Sequence, residues 1–549
     1  MTTAVPDTPA RRAAWMRRGA LVLAGVLQAL CFAPGPLPTA LLAVVQILSL
    51  GVLARLTLTA PSVRRAALDG GLFALVTYAV GLYWLYISLH VYGYMAAPLA
   101  AGGVLALAAY LALYPAAACA LARWLTVRPA AATPGRPPGA VTWLRHTATW
   151  AATWTAFEWL RGVIMSGFPW LNIAYGHVDS PLAGWVPLFG AYGLAFAAAF
   201  VAAAVALLVA NGLAWRQRAL TLGVAGALLV VGGVVALIGW SSPAGNPLAV
   251  RLVQGNVPQS QKFEPALMEQ GIIKHMRLAA QPASAGKPAP DFVLLPETVL
   301  PVFQDQLPPN TWEIWRSLAA RTNATFAMGV PLHRQDADGQ SIYTNSVVAF
   351  DGNTTAKSLE TANVDRLYDK RHLVPFGEYV PTGFRWFVNA MQIPLGDFNR
   401  GPERQTPFAV RDQHIAFNIC YEDLFGDELL PAIRTGADGA PGATILANVS
   451  NLGWFGDSWA LRQHLQIGRL RTIETARPML AATNTGLTAL IDARGRVIDS
   501  IPSHTSGVLE VSVQGMTGLT PYTRWGDGPA LLIVGLMLVA GMSWRMRRR

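Results

Sequence analysis

Residues 415–423 read Ile-Ala-Phe-Asn-Ile-Cys-Tyr-Glu-Asp. A β-rich, mostly apolar run ends in a thiol, and an aromatic ring and two acids follow at once. Short apolar runs bounded by polar residues mark buried strands, and groups at strand ends lie on loops that a rigid scaffold positions. The same grammar occurs twice upstream. Phe292-Val-Leu-Leu-Pro-Glu297-Thr298 places a carboxylate directly after a buried run. Tyr368-Asp-Lys370-Arg-His372-Leu-Val-Pro-Phe-Gly-Glu378 sets a Lys and a Glu eight positions apart in a turn-rich loop. Around these segments β-rich runs lie at 250–253, 292–295, 325–330, 346–350, 415–419, 444–448, 479–483, 487–492 and 508–513. They alternate with helical patterns at 266–280, 311–322 and 459–476. Strands alternating with helices across residues 248–515 predict a layered α/β domain.

Outside that domain the composition changes. Of 549 residues 53% are hydrophobic and only 13% are charged, against about 25% charged in ordinary soluble domains. Disorder, collagen-like repeats and a small disulfide scaffold are excluded. Residues 1–247 hold 14 Arg, no Lys and 4 acids, and residues 516–549 hold 5 Arg and 1 acid, whereas 248–515 hold 23 basic and 26 acidic residues. The formal charge of +11 thus resides in the apolar flanks, and nucleic-acid binding loses its support. Apolar runs fall near 19–35, 37–55, 67–90, 95–124, 147–164, 183–213, 219–240 and 526–544. A span takes about 20 mostly apolar residues, so eight are predicted: seven in a membrane domain at 1–247 and one in 516–549. The first and fifth are the weakest, cut by Pro34 and Pro36 or ended by Glu158 and Arg161.

Alternating the connecting segments puts 17 Arg of the flanks on one side of the membrane and only Arg161 and Arg524 on the other. By the positive-inside rule the first side is cytoplasmic. Both termini, including the basic tail, are then inside, and residues 248–515 are extracytoplasmic. A cleaved signal peptide is the alternative for the N-terminus, but no small-residue cleavage site follows the first run, and in Leu27–Cys31 (LQALC) Leu30 stands where a lipoprotein signal needs a small residue. Cys31 and Cys119 fall in predicted spans, leaving Cys420 as the one thiol of the external domain, so no disulfide staples that domain.

A Glu, a Lys and a Cys that converge make a thiol acyl-transfer device. The carboxylate takes the thiol proton, the ammonium lowers the thiol pKa, and the sulfur forms a thioester. The ammonium and the backbone N–H after the Cys serve the oxyanion. All five Lys of the chain (262, 274, 287, 357 and 370) lie in the external domain. Singly, each residue has an ordinary reading: a buried Cys as a small hydrophobe, a capping or surface Glu, a solvated Lys. Their joint occurrence in the order Glu297, Lys370, Cys420, each at a strand end, favours catalysis. Glycine-rich phosphate loops, zinc spacing and a G-x-S-x-G elbow do not occur.

With these residues the chain resembles the nitrilase superfamily of carbon–nitrogen hydrolases and, more narrowly, the apolipoprotein N-acyltransferase family. The resemblance runs over nearly the full length. It is carried by VQGNVPQ (253–259), LLPET (294–298), YDKRHLVPFGEYVP (368–381), ICYED (419–423) and NVSNLGWFGDS (448–458), and in the membrane part by FEWLRG (157–162) and GFPWLNIAYG (167–176). It implies an α-β-β-α sandwich set between the last two spans of a multi-pass bacterial inner-membrane protein and facing the periplasm. Cys420 is implied as acylated nucleophile, Glu297 as general base, Lys370 as oxyanion partner and Glu378 as the second superfamily Glu. Tyr421 and Glu422 match residues that the family requires beside the nucleophile. Phe263 departs from the pattern, since relatives often carry Trp there.

The implied reaction moves an acyl chain from a membrane phospholipid, through a Cys thioester, to the N-terminal diacylglyceryl-cysteine of an apolipoprotein, with no cofactor and no metal. Further substrate contacts are expected at Trp386, Phe387 and Met391, as an apolar lid dipping into the bilayer. Glu158 and Arg161, one turn apart, are either an interfacial ion pair or a contact to a lipid headgroup or the catalytic domain. Two rivals stand beside this reading: a membrane-tethered amidase or nitrilase acting on a small C–N substrate, and a non-catalytic receptor or transporter. Intact Glu297, Lys370 and Cys420 speak against the second, as does the scarcity of intramembrane charge.

Overall fold

The computed structural model of the chain describes residues 8–32, 37–127, 139–210, 213–383, 385, 397–436 and 439–547. Trp386, Phe387 and Met391 lie outside the described residues. The chain divides into two units, one of residues 1–86, 97–238 and 525–549, the other of 87–96 and 239–524.

In the first unit each apolar run becomes a helix, because a helix satisfies its own backbone groups where water is absent. The helices are α1 (Thr8–Leu30), α2 (Thr39–Leu58), α3 (Val63–Gly81), α4 (Ala97–Thr126), α5 (Ala140–Val163), α6 (Val186–Val205) and α7 (Trp215–Val235), followed by a C-terminal helix at Gly528–Met546. Five of them, α2, α4, α6 with its entering turn at Pro181–Trp185, α7 and the C-terminal helix, are long and apolar enough to cross a membrane. A sixth is a bent pair. The run expected at 67–90 stops at Gly81 and resumes as Trp84–Tyr92, bent by 51°. Trp84 Nε1 donates to the Gly81 carbonyl at 3.1 Å where the first helix ends.

The two weakest expected spans are also helical, α1 with 23 residues and α5 with 24. Charge lowers their hydropathy: Arg11, Arg12, Arg17 and Arg18 in α1, and Arg145, Glu158 and Arg161 in α5. Some of those charges are paired inside the unit. Arg17 pairs with Asp69 of α3, which Arg65 also reaches at 3.1 Å.

The second unit holds two six-stranded sheets. Before them lies β1 (Ser242–Pro243). The first sheet is built from β2 (Leu248–Gln254), β3 (Phe292–Leu294), β4 (Thr325–Gln335), β5 (Ser341–Phe350) and β6 (Leu367–Asp369). The second has β7 (Phe408–Val410), β8 (Gln413–Ile419), β9 (Ile445–Ser450), β10 (Met479–Thr483), β11 (Thr488–Ile491) and β12 (Val497–Ile501). β13 (Gly507–Val513) returns to the first sheet beside β2, and β14 (Met516–Thr517) pairs with β1. The strand order is β13-β2-β3-β4-β5-β6 in one sheet and β12-β11-β10-β9-β8-β7 in the other. β2-β3-β4 and β8-β9-β10 run parallel at the two centres.

Strand periodicity sorts the side chains into layers. Val250, Leu252, Phe292 and Leu294 of the first sheet meet Ile415, Phe417, Ile445 and Ala447 of the second in one buried cluster. Their neighbours Val253, Val293 and Leu295 face the other way, onto Trp312, Trp315 and Leu318 of the helix Thr311–Thr322. Each fully buried Leu, Ile or Phe contributes about 1.5–3 kcal/mol by leaving water. The result is the α-β-β-α arrangement, and β3, β6 and β8 end at Leu294, Asp369 and Ile419, close in sequence to the three residues expected to act.

Candidate active site

Glu297 follows β3 after Leu295 and Pro296. Its carboxylate is 7% exposed and fully engaged: Oε1 accepts from Asn345 Nδ2 at 2.8 Å, and Oε2 accepts from the Asn451 backbone N–H at 2.8 Å. Lys370 follows β6 directly and is buried. Its ammonium donates to Glu378 Oε1 at 2.8 Å and lies 3.7 Å from Glu297 Oε1. Glu378 closes the ring, accepting from Asn345 Nδ2 at 2.7 Å through Oε1 and from the Val374 N–H at 2.8 Å through Oε2. Burial alone would lower the Lys370 pKa, but Glu378, Glu297 and Cys420 reverse it, and the ammonium is held above its ordinary range.

Cys420 opens the short turn Cys420–Leu424 at the end of β8, with φ of +52°. A non-glycine residue in this region is uncommon and costs strain. The side chain is partly buried. Burial and the carboxylates of Glu297 and Glu378 push the thiol up from its ordinary value, against Lys370 and the Tyr421 N–H. The ammonium therefore opposes the rise without reversing it. Of the two carboxylates, Glu297 acts on the thiol more strongly than Glu378.

Glu422 has a different task. Oε2 accepts from the Tyr368 hydroxyl at 2.9 Å and the Ile419 N–H at 2.7 Å, and Oε1 accepts from the N–H groups of Arg371 at 2.7 Å and His372 at 3.0 Å. One carboxylate thus sews the Lys370 loop to the Cys420 turn. Burial pushes it up to about 7. Tyr421 is buried, its ring 5.4 Å from Phe425 and 5.7 Å from His372. His372 itself lies over Phe425, with ring centroids 3.5 Å apart.

The structure brings together Glu297, Lys370, Glu378 and Cys420, with Tyr421 and Glu422 around the last. Phe263 follows the helical turn Gln259–Lys262 and is 46% exposed, its ring 6.2 Å from Trp454, which in turn is 6.1 Å from Tyr92. Glu158 and Arg161 sit inside the first unit, both buried. They pair at 3.3 Å, Arg161 donates to the carbonyls of Phe168 and, at 2.8 Å, Trp170, and Glu158 Oε1 accepts from the Ile173 N–H at 3.2 Å. These bonds hold the irregular segment after α5.

Three residues of the site escape a reading of the three motifs. Asn345 is inside β5, not at a strand end; its signal is the polar triplet Thr344-Asn345-Ser346 in an otherwise apolar strand. Asn451 engages Glu297 through its backbone, which no side-chain pattern reveals. Lys262 is buried, with its ammonium 3.2 Å from the Glu297 carbonyl.

Known proteins agree with the two parts. Residues 24–204 match the model of the apolipoprotein N-acyltransferase N-terminal domain, and residues 249–522 match that of the carbon–nitrogen hydrolases. The apolipoprotein N-acyltransferase of Bordetella bronchiseptica is 58% identical over 539 residues, covering 98% of both chains. That of Ralstonia nicotianae is 43% identical, covering 96% of this chain and 93% of its own. Among solved structures, the C. elegans NitFhit protein aligns with a TM-score of 0.35 at 17% identity, covering 55% of this chain and 65% of that one. A carbon–nitrogen hydrolase superfamily protein of Xanthomonas campestris aligns at 0.32 and 20% identity, covering 52% and 97%.

Proposed function

The chain belongs to the apolipoprotein N-acyltransferase family, and from that premise we propose a ping-pong transfer through Cys420, with a membrane phospholipid as donor and the amino group of a diacylated apolipoprotein as acceptor. In the first half Glu297 takes the thiol proton as sulfur attacks the ester carbonyl. The oxyanion is met by the Lys370 ammonium and the Tyr421 N–H. Collapse expels the lysophospholipid alkoxide, which receives the proton from Glu297, and leaves a thioester. In the second half the neutral α-amine attacks the thioester, Glu297 accepts its proton, and the thiolate departs to be reprotonated. Glu378 holds Lys370, and Glu422 holds the loop that carries it.

One observation carries this reading: the Cys420 thiol meets a carboxylate and an ammonium 3.7 Å from that carboxylate at one site. No cofactor enters any step, because the phospholipid ester already supplies an activated acyl group. Both substrates are membrane-anchored, which explains why a hydrolase-like domain is joined to apolar helices. We place the chain in the inner membrane with eight spans, counting α1, α5 and the bent pair as crossings, and the catalytic domain on the periplasmic side.

The test is intact mass after incubation with phosphatidylethanolamine vesicles, for the wild type and Cys420→Ala. A fatty-acyl adduct on the wild type alone, discharged by a diacylated lipopeptide, is expected. Turnover of small amides without any lipid adduct would replace this reading with the tethered amidase.

A further inference from the structure

The proposed chemistry, on which this inference rests, asks one backbone N–H to face the reacting sulfur. The Tyr421 N–H is bonded to the Cys420 thiol. It belongs to the Cys420–Tyr421 peptide, whose carbonyl points the opposite way in the same plane. That carbonyl is held from behind. His464 Nε2 lies 3.2 Å from the Cys420 oxygen and Asn448 Nδ2 lies 3.4 Å from it. A carbonyl only accepts, so His464 carries a proton on Nε2.

Behind these donors runs a buried polar chain. Asn448 also donates to Asn418 Oδ1 at 2.8 Å and accepts from Ser450 Oγ at 2.5 Å, while Asn418 Nδ2 donates to Asp423 Oδ1 at 2.5 Å. Burial pushes the Asp423 carboxyl up from its ordinary value, and neighbouring His464 and Arg471 oppose that rise. Asn418, Asn448, Asp423 and His464 are all buried, where polar groups are costly unless they bond.

We propose that His464, backed by Asn448 and Asp423, is a positioning residue that fixes and polarises the Cys420–Tyr421 peptide, so that its N–H stays aimed at the sulfur and at the oxyanion. Two effects combine. Donors on the carbonyl hold Cys420 in its strained φ of +52°, and a hydrogen bond accepted at one end of a peptide strengthens the donor at the other. Filling the helix Trp459–Thr475 with an apolar residue at 464 would leave the carbonyl its longer bond to Asn448 alone.

The experiment uses the full chain in phosphatidylethanolamine mixed micelles, with His464→Ala, His464→Gln and, as a donor-free filler of the ring's volume should Ala not fold, His464→Phe. Folding is checked by thermal melting. Iodoacetamide labelling of Cys420 across pH reads the thiol without any lipid substrate, in the field of Glu297, Lys370 and Glu378. The midpoint in Ala or Phe is expected to move upward by about one pH unit, a tenfold weakening of thiolate stabilisation. The rate constant of acyl-enzyme formation at saturating phospholipid is expected to fall roughly tenfold, with the half-saturating concentration unchanged. Gln, whose amide restores an N–H donor, should recover the midpoint and most of the rate. A wild-type midpoint in the donor-free variants, or a Gln variant as impaired as they are, would overturn the proposal. A shifted midpoint in a protein whose wild type takes no acyl group from phospholipid leaves the peptide's role standing and removes the phospholipid reading instead.

Discussion

Asn345 offers its side-chain amide to two carboxylates at once, Glu297 at 2.8 Å and Glu378 at 2.7 Å. Both carboxylates also lean on Lys370, so one ammonium and one amide balance two buried negative groups. Removing the amide in Asn345→Ala leaves each carboxylate a donor short, at a cost of about 1–3 kcal/mol. The expected result is a melting point lowered by several degrees and acyl-enzyme formation slowed by one to two orders of magnitude. Asn345→Asp should be worse in both, since a third carboxylate would crowd one cation; an Asp variant milder than Ala would show that charge balance is not what Asn345 supplies. Lys262 gives a second prediction. Burial pushes its ammonium down to about 7, against the pull of Glu297. The unfolded chain keeps that proton up to the ordinary value of 10.5, so between about 7 and 10.5 the unfolded state binds more protons than the native state. Stability must therefore rise with pH across that window, and below it the full cost of the buried charge applies. The gain is on the order of 5 kcal/mol at most. Measured by urea unfolding in detergent at pH 7 and pH 10, the wild type should gain relative to Lys262→Met; a difference that stays constant with pH would refute the assignment.

At the scale of elements, the site depends on how closely strands approach the backbone beneath it. A Cβ added to Gly329 of β4 would stand 2.5 Å from the Glu297 Cα and 2.6 Å from the Thr298 nitrogen. No rotamer relieves a clash with backbone, so Gly329→Ala must push the Glu297 turn outward. Overpacking of this kind costs typically 1–3 kcal/mol. Acylation should suffer more than stability, because Glu297 must stay within reach of the sulfur; an Ala variant with wild-type acylation would show that the turn yields freely. The same elements explain what sequence could reveal. The nine β-rich runs and three helical patterns appear within a few residues of their expected limits, because alternation and strand-end polarity are local properties. The short strands β6, β7 and β12 were invisible, since three to five residues on a sheet edge carry no periodicity. Glu297, Lys370 and Cys420 could be singled out because each lies within three residues of its strand's end, next to residues of a resembled family. Asn345, Asn451 and His464 could not, since each acts on a partner that only the fold brings near. The thiol's raised pKa was equally hidden, because burial, unlike a neighbouring Lys, is not written in the local sequence.

Over the whole molecule, the basic excess lies in the flanks and a slightly acidic segment lies between them, and the proposed topology rests on this separation. Positive residues in short segments resist translocation, so in the proposed eight-span arrangement the 17 Arg of one side would hold both termini inside. The five helices long and apolar enough to cross do not by themselves fix that arrangement; α1, α5 and the bent pair decide it. The Glu158–Arg161 pair bears on the case. Hydropathy charges both residues against α5, yet they are paired, buried and bonded to the backbone of the following segment. A paired and partly bonded pair of charges costs a helix less than two free ones, which favours the proposed crossing of α5 despite its composition. In the proposed arrangement seven crossings before residue 248 would send the catalytic domain outward, and one more at Gly528–Met546 would bring the C-terminus back. Alkaline phosphatase, which folds only outside the cytoplasm, should be active when fused after Asn246 and inactive when fused after Arg549. Green fluorescent protein exported through the same route should give the opposite pattern, bright at Arg549 and dark at Asn246. Bright fluorescence at Asn246 with none at Arg549 would mean that one of α1, α5 and the bent pair does not cross, and the catalytic domain would then face the cytoplasm, where no diacylated lipoprotein amine awaits it.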